Sequence, residues 1–426
     1  MRAGGPAAYS ARGRPPSGSR ELALYLGSRL TGTMGVQIQS VAVGWQIYAR
    51  TGDVLDLAWV GLAQFVPLAL LSLWAGGVAD RLDRKRILTS CRAIYALGSL
   101  GLAGLSLLPE LGTLPIYGVL ALLGATRAFA APAAWSLLPG LVSSARLPRA
   151  IAMSSTTFQI ATIGGPTVGG LLYALGGPTT AYVSAAACEL CAVLCLLAIT
   201  RLLPSREAPG ESGLPLLLSG LRYVWRQKIV LGAISLDLFA VLLGGAVALM
   251  PVYARDVLAV GETGLGMLRG APAAGAALVA ILLALRPITR RAGWWMFGAV
   301  ALFGVATIVF GLSTSFPLSL CALAVLGGAD MVSVVIRQSL IQLATPDAMR
   351  GRVASVSMIF IGASNELGEV ESGAAAKLLG SAVRAVVLGG VGTLMVTGLW
   401  TALFPRAPAR RDGGHRARLS RADRSS

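Results

Sequence analysis

The sequence predicts an all-α membrane protein of about twelve spanning helices, arranged as two related six-helix bundles. Three observations predict it: a composition suited to lipid, apolar runs of spanning length, and halves that overlay at a nearly constant offset. Hydrophobic residues make up 55% of the 426 residues and charged residues 13%, with a mean hydropathy of +0.71. A soluble domain carries about twice that charged share. In water such a surface would present large apolar patches, whereas lipid removes that objection.

A spanning helix needs roughly 20 mostly apolar residues. Such runs lie near 22–49, 54–79, 87–109, 114–142, 149–175, 179–203, 229–254, 262–285, 294–312, 316–343, 353–379 and 381–404. Residues 1–20 read as a polar, basic and disordered start, 21–203 as the first bundle, 229–404 as the second, and 405–426 as a basic disordered tail. Between the bundles, 204–228 is the longest polar interruption. It opens with Pro204-Ser-Arg-Glu-Ala-Pro-Gly210 and ends in a basic amphipathic stretch expected to lie on the inner membrane surface, against anionic lipids. No cleavable signal peptide is expected, because a long apolar span follows the polar start directly.

The net charge of +17 could mean nucleic acid, but its location argues for membrane topology instead. Basic residues cluster in alternate connections, such as Arg81, Arg84, Lys85 and Arg86, and in the two ends. The other connections hold only Arg50, Arg255, Lys377 and Arg384. By the positive-inside rule both termini are expected in the cytoplasm of a multi-pass cell-membrane protein. Cys188, Cys191 and Cys195 stand at helical spacing in one apolar run and read as small hydrophobes. The single histidine, His415, lies in the polar tail, so no metal and no cofactor is expected.

The overlay joins Tyr48-Ala49-Arg50 to Tyr253-Ala254-Arg255, Pro67 to Pro272, and Lys85-Arg86 to Arg290-Arg291. Shifted by two residues, Leu123-Gly124 falls on Leu326-Gly327, and Gly165–Gly170 falls on Gly368–Gly373. An offset held across five spans suggests a parallel duplication.

Two segments carry mechanism. Gly76-Gly-Val-Ala-Asp80-Arg81-Leu-Asp83-Arg84-Lys85-Arg86 joins spans two and three. A positive-inside loop needs Arg and Lys, but neither Gly nor Asp. Span five carries Gly164-Gly165-Pro166-Thr167-Val168-Gly169-Gly170, where Pro removes a backbone donor and Gly165 and Gly169 make a small-xxx-small face.

The first segment resembles the cytoplasmic loop motif of the major facilitator superfamily, with Gly76, Asp80, Arg81, Arg84 and Lys85 matching and Asp83 where Gly is frequent. The resemblance implies a state-dependent cytoplasmic gate, with Asp80 near the start of span eleven. Its second-half counterpart, Arg286–Arg291, keeps the bases and lacks the Gly and Asp. The second segment, through Gly165, Pro166, Gly169 and Gly170, is similar to the helix-bend signature of exporters in that superfamily, departing at Ala161. Val43–Tyr48, Arg127–Ala133, Thr345–Val353 and Ser364–Glu369 look like the enterobactin-exporter-like branch. The resemblance therefore implies the major facilitator fold, a small-molecule substrate, protons as the coupling ion, and a monomer.

Charges in the predicted spans complete the reading. Each costs about 2.5–3.5 kcal/mol at the bilayer centre on insertion scales, so each should face a partner or a water-filled cavity. The acids are Glu189, Asp237, Asp330, Glu366, Glu369 and Glu371; the bases are Arg29, Arg127, Arg269 and Arg337. A desolvated carboxylate can carry a proton, which makes Asp237 the first coupling candidate, followed by Glu366, Glu369, Asp330 and Glu189. Arg can hold an anion. In the arrangement the family implies, Arg29, Gln37, Arg127, Asp330 and Arg337 lie on cavity-lining spans and are the substrate candidates. Structural ion pairing competes as a reading for every one of these charges.

The function expected is a secondary transporter, a proton-coupled exporter of a siderophore or drug-like compound by alternating access. No Gly-x-x-x-x-Gly-Lys phosphate cradle occurs. An intramembrane enzyme would need a nucleophile–base constellation, and none is visible. A non-transporting sensor on the same fold is the competing alternative.

Overall fold

The computed structural model describes residues 19–142, 146–200, 214–286 and 292–403; the side chains of some helical residues, among them 73–81 and Glu366, lie outside that description. The described residues form α1 (Ser19–Thr51), α2 (Val54–Arg81), α3 (Arg84–Ser106), α4 (Leu114–Leu141), α5 (Leu147–Leu197), α6 (Leu214–Arg226), α7 (Lys228–Leu243), α8 (Gly261–Leu285), α9 (Ala292–Leu312), α10 (Phe316–Ala344), α11 (Asp347–Leu379) and α12 (Ala382–Leu403).

Among the described residues, nine helical stretches are long and apolar enough to cross a bilayer. One of them, in α5, is too long for a single crossing at about 1.5 Å per residue. Its backbone leaves helical geometry at Gly176 and Gly177, where Gly177 sits at φ 69°. A side chain is disfavoured there, so this Gly-Gly pair is the turn between spans five and six. Helices α1 and α11, at 33 residues each, are also long enough but carry much of the polar load. With α5 divided and these two included, the described residues account for twelve crossings.

Span seven departs from the single helix expected over 229–254. Helix α7 stops at Leu243 before Gly244-Gly245. The chain continues as a 3-10 turn, Ala246–Leu249, and after Met250-Pro251 a wide turn follows, in which the Leu258 N–H donates to the Tyr253 carbonyl. The cause is local: paired glycines lower helix propensity, and Pro251 supplies no N–H. At the helix end the Ala240 carbonyl accepts from the Gly244 N–H at 2.9 Å and also from the Thr393 hydroxyl at 3.2 Å.

The duplicated sequence has a duplicated packing solution. Gly124 of α4 lies against the Gln64 carbonyl of α2, and Gly327 of α10 against the Pro272 carbonyl of α8. In both places only the absence of a side chain lets the two backbones approach. Helix α1 packs along α5 within the first half, and the halves meet where α2 packs on α11 and α5 on α8. The amphipathic stretch folds as α6 and docks on the second half. Tyr223 donates to the Ala344 carbonyl at 2.8 Å, Arg352 donates to Ser219 at 3.1 Å, and Val224 packs with Ile341, Val353 and Val356.

Candidate functional site

Among the described residues, charged side chains are brought together in four places. In the first half, Glu189 on α5 meets Arg92 on α3 at 3.2 Å through both carboxylate oxygens. The pair is walled in. Glu189 is 1% exposed, and Gly32 and Gly35 of α1 leave the room that the two side chains fill. The sequence reading did not single out Arg92. It sits near the basic start of α3, where it passes for another inside-facing charge.

In the second half, Arg337 on α10 pairs with Asp237 on α7, and both are buried. Asp330, seven residues before Arg337 on one helix face, lines a small cavity with Asp237, Ser333 and Phe303. Here two carboxylates share the surroundings of one guanidinium. Asp237 lies two turns before the break in span seven. Interrupted helices recur at transporter binding sites because they release backbone groups near the midplane.

The third place joins the halves. Arg269 on α8 donates to the Ser40 hydroxyl of α1 at 2.6 Å, and its guanidinium lies against Gly44. Glu369 on α11 is within its electrostatic range. Sequence reasoning named Arg269 as embedded without assigning it to a site.

The fourth is at the end of α1 opposite its start. Tyr48 donates to Asp256, Arg255 donates to the Tyr48 carbonyl at 3.0 Å and lies over its ring, and Lys377 meets Asp53 at 2.5 Å. The Lys377 ammonium, helped by the Leu55 N–H, holds the Asp53 carboxyl below the usual carboxylate range. Tyr48–Asp256, Arg255–Tyr48 and Lys377–Asp53 each run from one half to the other.

The remaining candidates are dispersed. Arg29 donates to the Ser154 carbonyl at 3.2 Å and lies over the Phe158 ring. Arg127 is exposed on α4. Gln37 backs onto Gly165. The glycines of the helix-bend segment face two ways. Gly165 and Gly169 meet α1, whereas Gly170 meets Gly266 and the Glu262 carbonyl of α8, and Gly266 meets the Pro166 carbonyl. The segment is thus a backbone-to-backbone joint between the halves. In the gating motif, Asp83 caps α3 by accepting from the Lys85 N–H at 2.9 Å. Lys85 donates to the Leu197 and Ile199 carbonyls of its own half, at 3.3 and 2.5 Å. The side chains of Gly76-to-Arg81, and with them the expected reach of Asp80, lie outside the described residues, as does that of Glu366.

This arrangement can be set beside known proteins. A family model described as transmembrane secretion effector, within the major facilitator superfamily, matches residues 22–413. The chain belongs to that family. It is 30% identical over 379 residues to the enterobactin exporter EntS of Shigella dysenteriae serotype 1 (strain Sd197), covering 86% of this chain and 84% of the relative. EntS of Escherichia coli O157:H7 (strain EC4115 / EHEC) matches to the same extent. Among solved structures, a bacterial homolog of the human lysosomal transporter Spinster, inward-facing and unoccupied, superposes with a TM-score of 0.69 at 15% identity, covering 92% of this chain and 97% of that one. The nucleoside transporter NupG gives 0.67 at 14%, covering 91% and 100%. These likenesses establish the major facilitator fold. The chain is a multi-pass membrane transporter and not an enzyme.

Proposed function

We propose that the chain is a proton-coupled exporter of a small organic molecule, of the siderophore or drug-like class, working by alternating access in a bacterial inner membrane with both termini in the cytoplasm. The observation that carries the reading is the pairing of a charged, releasable seal at one end of the halves with a buried carboxylate–arginine cluster at mid-depth. The seal is Tyr48–Asp256, Arg255–Tyr48 and Lys377–Asp53. On the other side, α5 presents exposed Ser155 and Thr156 beside Phe158 and Arg29. That pattern suits a water-filled vestibule open to the face where the chain starts.

In this reading a substrate enters from that face. It meets Arg29, Arg127 and Gln37 on the first half and the Asp237–Asp330–Arg337 cluster on the second. Proton arrival at one carboxylate of the cluster frees Arg337 to rearrange, because two acids then no longer compete for it. The joint at Gly170 and Gly266 carries the rocking of the halves, and Arg269 passes between Ser40 and Glu369 as they part. The relatives are named as enterobactin exporters, and cavity arginines suit an anionic compound.

The test is transport in proteoliposomes of the purified protein under an imposed proton gradient, beside a deletion strain assayed for siderophore retained under iron limitation and for drug hypersensitivity. Gradient-driven movement of one compound class, with the matching phenotype, is expected. Binding without gradient-driven movement would favour a sensor on the transporter fold.

A further inference from the structure

One cavity lies outside the route just proposed. It is a groove of ≈ 930 Å³ in the second half. Its floor is α10, through Ala324, Gly328 and Val332, and its walls are α8, through Leu278, and α9, through Trp295 and Leu302. The wedge exists because α8 and α10 touch backbone to backbone at Gly275 and Ala324, while α9 packs along α10 on its other side.

Two features identify what fills it. First, the rim belongs to the lipid-facing belt: Leu278, Leu302 and Val325 are between 45% and 60% exposed on a membrane protein. An apolar groove opening there is in contact with acyl chains. Second, one end carries a headgroup signature. Trp294 and Trp295, exposed at the start of α9, are side chains of the kind that sit at the membrane–water interface. Arg286 is exposed at the same end of α8, seven residues beyond the groove-lining Val279. A basic group beside an apolar slot between helices is complementary to an anionic headgroup with its chain in the slot.

We infer that this groove binds one anionic phospholipid, its acyl chain on α10 between α8 and α9 and its headgroup at Arg286. The site is separate from the vestibule. Ala329 lines both the groove and the small cavity of Asp237 and Asp330, so the bound chain braces the wall of the carboxylate cluster.

The experiment uses the full chain in detergent micelles, titrated with phosphatidylglycerol or phosphatidylcholine carrying brominated acyl chains, with quenching of tryptophan fluorescence as the readout. Saturable quenching by phosphatidylglycerol is expected. Arg286→Gln should weaken it about five-fold and leave phosphatidylcholine unchanged, the ratio one juxtamembrane base supplies. A side chain at Gly298 meets open space within the groove, so Gly298→Leu fills it without a clash and should abolish saturation. Val325→Phe gives a second obstruction, without adding a tryptophan, if that variant folds poorly. Equal quenching by the two lipids, or unchanged phosphatidylglycerol binding with the groove filled, overturns the inference. So does saturable binding of a transported compound that phosphatidylglycerol cannot displace.

Discussion

Among the described residues, each half holds a buried ion pair, and the two are built to opposite ends. Arg92–Glu189 in the first half is enclosed by α1 glycines, with one acid for one base and both oxygens engaged. Arg337–Asp237 in the second half has a further acid, Asp330, on the same cavity. An enclosed, matched pair has no second arrangement to move to. A pair with a spare carboxylate has two, and two discrete arrangements are what a coupled transporter needs. The same contrast runs through the duplicated Tyr-Ala-Arg. Tyr253 is locked within its half, donating to the Gly311 carbonyl at 2.8 Å and stacking on Phe310, whereas Tyr48 reaches across to Asp256. Arg50 stays with the Leu105 and Ser106 carbonyls, whereas Arg255 crosses to Tyr48. Duplication supplied the residues, and in each repeated pair one member is put to structural use and the other to the interface.

The comparison breaks most sharply at the two acids. Asp237→Asn should abolish gradient-driven transport while membrane abundance stays near wild type, because Asp330 remains to compensate Arg337. Glu189→Gln should do the reverse. It leaves the largely buried Arg92 without a counter-charge, a loss of about 3–5 kcal/mol for a broken buried pair, read as a lowered melting temperature and lower yield. Transport per folded molecule should hold. Wild-type transport by Asp237→Asn, or a transport defect in well-folded Glu189→Gln, would dissolve the distinction between the two pairs.

The next effect is at the joint. A side chain at Gly170 meets the Glu262 carbonyl and Gly266. Gly170→Val should therefore prevent the sealed end from closing. A cysteine placed at Ser40, in a cysteine-free background, should become accessible from that end. Gly164→Val, with open space around the added atoms, should leave labelling unchanged.

How much of this was legible in sequence follows from what each feature depends on. The crossings depend on local composition, and the apolar runs mark them within a few residues. The break in span seven was equally local, at Gly244-Gly245 and Pro251, but an uninterrupted apolar run hid it. Pairings are not local. Arg92 and Glu189 are 97 positions apart, and nothing near either residue names the other. Tyr-Ala-Arg was visible as a repeat, but its unequal use depends on which half lies opposite. Asp83, read as a departure from a motif, proved to be the cap of α3, a role any Asp before a helix start could have suggested.

The smallest expected effect concerns pH at the seal. Asp53 is held below its ordinary value when Lys377 is in place, so the contact is favoured with Asp53 ionised. Its contribution is complete above the ordinary aspartate value of about 3.9 and is lost only as pH falls through the depressed one. Labelling of the cysteine at position 40 from the sealed end, taken at each pH relative to a fully exposed cysteine so that thiolate fraction cancels, should therefore be flat across about pH 5–8. Lys377→Gln should raise it about two- to five-fold at every pH in that range, the modest effect of an exposed pair. If labelling instead rose steeply between neutral and mildly acidic pH and Asp53→Asn removed the rise, the seal itself would be the proton sensor, and the second-half carboxylate cluster would lose its distinguishing role.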